Sequence, residues 1–173
     1  MFNPLELEAY KLASLVGRRR PSLIKPFRFA LRELLRNVFE HAQVSECYFC
    51  GQSWYDGTVE ACIVDEGVGI SQSLREAYPI ASDGDALKLA AMPGISRVTS
   101  QPDSRNFYDN SGFGLYVLTE AGAKYGAVAL GSGNSVYQCW GEQRKTRLFA
   151  FSGTFLEWLS TKRFPTLKRN SVR

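Results

Sequence analysis

Apolar residues recur at helical spacing near the start of the chain, where Leu5, Ala9, Leu12 and Val16 share one stripe. Gly17 and the run Arg18, Arg19, Arg20 break that pattern, and Pro21 suggests a new start. The spacing predicts a second helix from Pro26 to Ala42, with Phe27, Leu31, Leu34, Leu35 and Val38 on one side. Strand-like runs follow at 44 to 54 and 58 to 65, and the YDG between them predicts a hairpin. From 66 to 112 the chain is rich in Gly, Ser, Asp and Pro, with a short helical stretch around DALKLAAM; such a segment inside a domain reads as a functional loop or lid. GFGLYVLTEAGAKYG reads as a helix opened by glycines and closed by Gly126. Three strand candidates, AVALGS, SVYQCWG and TRLFAFSGTF, complete the pattern. The expected fold is α+β: one domain over residues 1–160, a two-layer sandwich whose mixed, mostly antiparallel sheet is covered by helices on one face, then a basic, flexible tail at 161–173.

Composition supports a folded domain and narrows its setting. With 45% hydrophobic and 22% charged residues the chain is globular in type. No apolar run approaches the roughly 20 residues of a membrane span. The start, MFNPLELEAY, lacks the basic-then-apolar pattern of a secretory signal, so the expected location is cytoplasmic. The net charge of +4 gathers in Arg18, Arg19 and Arg20 and in Lys162, Arg163, Lys168, Arg169 and Arg173. Such patches meet nucleic acid or an acidic partner, or are simply solvated. With no helix-turn-helix, zinc-finger or RNA-binding aromatic motif, the solvated tail is the expectation, with neither nucleic acid nor membrane as partner. Cys47 and Cys50 form a CxxC pair, but residues three apart on a strand face opposite ways, which predicts buried, reduced thiols and no metal site.

The chemistry begins on the second helix. Glu33, Asn37 and Glu40 gather opposite its apolar side, flanked by Arg36 and His41. A solvated polar face would look the same. Glu33 and Asn37, however, lie one turn apart and address one place. A carboxylate there takes a proton near a phosphate, and an amide oxygen is a hard neutral ligand suited to magnesium.

Two glycine pairs follow. ACIVDEGVGI is an apolar strand ending at Asp65, whose burial is costly unless its oxygens accept hydrogen bonds, for instance from the exocyclic amine of adenine. Gly67 and Gly69 let the backbone turn tightly beside a flat ligand, although an ordinary Asp-capped turn shares this pattern. Gly112 and Gly114 precede a helix, whose free N–H groups suit phosphates. Neither GxxxxGK[ST] nor GxGxxG occurs, which removes the P-loop and the Rossmann fingerprint.

In this order the motifs resemble those of the GHKL (Bergerat-fold) ATPases, the gyrase, heat-shock chaperone, histidine kinase and MutL group. ELLRNVFEHA is similar to their N-box, DEGVGI and SGFGL to their two glycine boxes, and FSGTFLEWL to the closing Gly-Thr strand of histidine-kinase ATPase domains. The resemblance covers residues 33 to 154 and implies ATP (or ADP) with Mg2+ as cofactors. It makes Glu33 the general base and Asn37 the magnesium ligand. It gives Asp65 to the adenine amino group, with Gly67, Gly69 and Ile70 shaping that wall. Gly112, Phe113, Gly114 and Leu115 match the backbone around the phosphates, Thr154 closes the adenine pocket, and residues of about 71–111 correspond to the ATP lid. One departure is Glu40, where many histidine kinases carry a basic residue; phosphate charge must then be met by magnesium, the helix start, or a lid cation such as Arg97 or Arg105.

His41 is the only histidine and lies inside the N-box, so the separate phosphoacceptor of a self-contained histidine kinase is missing. The length is short for a full gyrase, chaperone or MutL protein. The expected function is a stand-alone module in signal transduction, an ATPase or an anti-sigma-factor-like serine/threonine protein kinase acting on a partner protein. The alternatives are a non-catalytic nucleotide-dependent switch that binds its partner through the lid and a scaffold that has lost nucleotide. A second copy of the chain is one candidate partner.

Overall fold

The computed structural model describes residues 4–16, 18, 21–42, 44–95 and 113–160, with side chains at 4, 5, 16, 40 and 41 excepted. Its elements in chain order are α1 (Pro4–Val16), a 3-10 turn (Pro21–Leu23), α2 (Ile24–His41), β1 (Tyr48–Ser53), β2 (Val59–Asp65), α3 (Gly69–Arg75), α4 (Asp83–Ala90), α5 (Gly114–Tyr125), β3 (Ala127–Trp140) and β4 (Gln143–Ser160). The four strands pair in the order β1-β2-β4-β3, each pairing antiparallel. The sheet is therefore antiparallel throughout the described residues, where a mixed, mostly antiparallel one was expected.

Alternation along β2 buries Val59, Ala61, Ile63 and Asp65 on one face. Register extends that face across the sheet. Ile63, Leu156 and Leu130 make one row, and Ala61, Trp158 and Val128 the next. The apolar side of α2 lies on these rows: Phe27, Leu31, Leu34, Leu35 and Val38 are all buried, and Phe27 stacks on Trp158 with ring centroids 4.3 Å apart. Ala9 and Ala13 of α1 and Leu118 of α5 join the same core. The opposite face of the sheet carries Tyr48, Cys50, Glu60, Cys62 and Glu157, which are exposed or half-buried. Helices thus cover one face, as a two-layer α+β sandwich requires.

Local departures from the expected pattern have identifiable causes. The three late strand candidates are two long strands. Residues 132 to 135 form a bulge with Gly133 at φ +60°, and the chain reverses only at Gly141 and Glu142. The irregular segment after β2 holds α3 as well as α4, and Leu87 of α4 is fully buried in the core. The first part of the expected lid is thus packed structure, while 96–112 and the tail 161–173 lie outside the described residues. All four cysteines are free, but neither member of the CxxC pair is buried as expected: Cys47 is half-buried and Cys50 is exposed, since alternation turns it to the open face of β1. Among the described residues, no helix is long and apolar enough to cross a membrane.

Candidate functional site

The helix-facing rows of the sheet end in a polar one. Asp65 pairs with Thr154, and Thr154 with Ser132. Ser132 is buried; its Oγ donates to the Gly153 carbonyl at 2.9 Å and accepts from the Ile70 N–H at 3.0 Å, tying β3, β4 and the start of α3 together. Asp65 is 5% exposed, and its Oδ1 accepts from the Gly67 N–H at 2.9 Å. Burial pushes its carboxyl above the ordinary aspartate range, opposed by backbone hydrogen bonds from Gly67 and Thr154.

Between this row and the helices lies a cavity of about 110 Å³, which opens into a mouth that brings the total empty space to about 960 Å³. Its floor is apolar, with Leu34, Val38, Ile63, Leu130 and Leu156. Polar groups reach it from separate elements: Asp65 and Thr154 from the sheet, Arg36 and Asn37 from α2, and Ser73 from α3. Gly69 and Ile70 at the start of α3, and Gly114 and Leu115 at the start of α5, complete the wall.

Seven of the residues singled out in the sequence therefore share one cavity: Asn37, Asp65, Gly69, Ile70, Gly114, Leu115 and Thr154. Gly67 stands outside the lining and serves packing, since a Cβ there would run into the carbonyl oxygen of Ala42, which accepts from the Val68 N–H at 3.1 Å. Phe113 is exposed, its ring edge-on to Tyr116. Gly112, Arg97, Arg105 and the side chains of Glu40 and His41 fall outside the described residues.

Glu33 occupies a less expected position. It is 3% exposed and is not among the lining residues. Glu33 thus turns inward, against α5, where a Cβ on Gly114 would run into its Oε2. Both carboxylate oxygens hold guanidinium partners. Oε1 accepts from Arg32 Nη2 at 2.8 Å and Nε at 3.1 Å, and Oε2 pairs with Arg36 Nη2 at 2.9 Å. Arg32 in turn bridges to Glu6 of α1 at 2.8 Å.

Sequence reasoning took Arg36 only as a flanking residue and Gly153 only as part of the Gly-Thr motif, and missed Ser132. Gly153 lies inside the FSGT motif, but nothing in the letters signals its φ of +100°. Among the described residues, no group of three or more His, Cys, Asp or Glu could hold a metal ion. A magnesium ion held through Asn37 would have to bring most of its shell as water and phosphate, which is its usual habit. No family model matches this chain, and no curated protein does.

Proposed function

We propose that the chain is an ATP- and magnesium-binding module of the GHKL type that hydrolyses ATP or transfers its terminal phosphate to a partner protein, acting in the cytoplasm. The observation that carries this reading is convergence. Residues spread from Asn37 to Thr154 meet around one cavity with an apolar floor, a buried carboxylate at the sheet and two helix starts in its wall. A flat base suits the floor, with Asp65 accepting from its amino group. Asn37, Arg36 and the start of α5 suit the polyanionic end. The test is isothermal titration with ATP, ADP and magnesium, wild type against Asp65→Ala. Saturable binding that the variant loses supports the reading; titration without heat or saturation refutes it.

One observation favours a second reading, a switch without turnover. Glu33 is sealed behind Gly114 with both oxygens engaged, which suits a structural carboxylate better than a base. In that case nucleotide would alter a surface that a partner, or a second copy of the chain, recognises. Glu33→Ala separates the two: a catalytic role predicts lost phosphate release with ATP binding retained, whereas the switch reading predicts no turnover to lose.

A further inference from the structure

Glu33 and Arg36 support an inference that rests on the nucleotide reading and deepens it. Glu33 has two cationic partners where one would satisfy it. Arg32 grips Oε1 with two nitrogens and is anchored from behind by Glu6. Arg36 pairs with Oε2 at 2.9 Å, and its side chain, 15% exposed, stands in the cavity wall. Among the described residues lining that wall it is the one cation. Asn37 follows it on α2, and Gly114, at the first turn of α5, packs against the same Oε2. Arg36 therefore sits between a buried carboxylate and the part of the cavity suited to phosphates.

We propose that Arg36 is an exchangeable cation: in the empty cavity it is held by Glu33, and bound nucleotide phosphates replace Glu33 as its partner. Phosphate oxygens compete well for a guanidinium, which grips them through two parallel N–H donors. Glu33 is not stranded by the exchange, because Arg32 keeps Oε1 neutralised; the cost of leaving a buried charge unpaired is avoided. What changes is Oε2, which loses its cation beside the start of α5. A ligand without phosphates leaves the Glu33–Arg36 pair closed. The phosphate charge that Glu40 cannot meet is met one turn earlier on the same helix.

The experiment is calorimetric titration of adenosine, ADP and ATP, the nucleotides with magnesium, into wild type, Arg36→Gln, Arg36→Lys and Glu33→Gln, with a melting curve for each variant. Arg36→Gln should weaken ATP by about tenfold or more, as loss of a charge-assisted bidentate contact does, and change adenosine by less than about twofold. Arg36→Lys, which keeps charge without the fork, should fall between. Glu33→Gln removes the competing charge and should tighten ATP several-fold without affecting adenosine. The exchange is overturned if Arg36→Gln weakens adenosine and ATP in parallel, if it weakens neither, or if Glu33→Gln weakens ATP. Wild type that binds adenosine but ignores the Arg36 change overturns this proposal alone; wild type that binds none of the three overturns the nucleotide reading and the exchange with it.

Discussion

Replacing Gly153 by alanine should damage the molecule far more than one methyl group suggests. At φ +100° an L side chain is strained, at about 1–3 kcal/mol. The added Cβ would also run into the carbonyl oxygen of Asp65 and lie 2.9 Å from the Cα of Glu66. Both are backbone atoms, at the last residue of β2 and the one after it, so no side-chain rotation relieves the collision, and β4 must part from β2 at the Asp65–Thr154 pair. Overpacking of this kind adds about 1–3 kcal/mol, giving a loss of about 2–6 kcal/mol. With a urea dependence of about 2 kcal/mol per molar, the unfolding midpoint should fall by about 1–3 M. Gly141→Ala is the control: its φ is also positive, at +52°, but nothing lies within 4 Å of the new Cβ, so it carries strain alone, about 1–2 kcal/mol. Urea unfolding followed by circular dichroism compares the two. Equal losses would refute the argument that the β4 backbone is pressed against Asp65.

Other substitutions test other parts of the account. Phe27→Ala removes a buried ring stacked on Trp158 and should cost about 3–5 kcal/mol, while Phe149→Ala, half exposed, should cost under about 1 kcal/mol by the same urea assay. Burial raises the Asp65 carboxyl above its reference of 3.8, so the fold favours the protonated form and the stability this group contributes is lost as pH rises through the raised value. Asp65→Asn should therefore unfold at higher urea than wild type at pH 7, with the gain gone below about pH 3.8, while weakening nucleotide by about tenfold or more. Burial, and then Glu60 across the open sheet face, raise Glu157 above its reference of 4.5; the sign is the same, and Glu157→Gln should stabilise by about 0.5 kcal/mol at pH 7 and by nothing near pH 4, read from unfolding midpoints.

Much of this architecture was legible because its elements are locally consistent. The apolar stripe of α2 has a clear period, YDG marks the β1–β2 hairpin, and the alternation of β2 predicts which face packs. The bulge at Gly133 was not legible, because a glycine with positive φ inside a strand looks like a turn residue until its pairing partner is known. Helix α3 escaped notice because its seven residues sit among turn-forming glycines and serines, and Ser132 holds it there from the far end of the sequence. The candidate site divided along the same line. Asp65 and Thr154 could be picked from motifs, yet their adjacency is a matter of strand register. Glu33 could be picked as a carboxylate one turn from Asn37, but its burial against Gly114 and the link from Arg32 to Glu6 depend on where α5 and α1 pack.

The central claim concerns one cavity and what fills it. A crystal structure of the chain grown with magnesium and a non-hydrolysable ATP analogue tests it most directly. The account predicts the adenine amino group on the Asp65 carboxylate, the base over Ile63, Leu130 and Leu156, magnesium on the Asn37 side-chain oxygen, and the phosphates between Arg36 and the start of α5. Analogue found elsewhere on the surface, or a cavity filled by the protein's own side chains at saturating nucleotide, would contradict it.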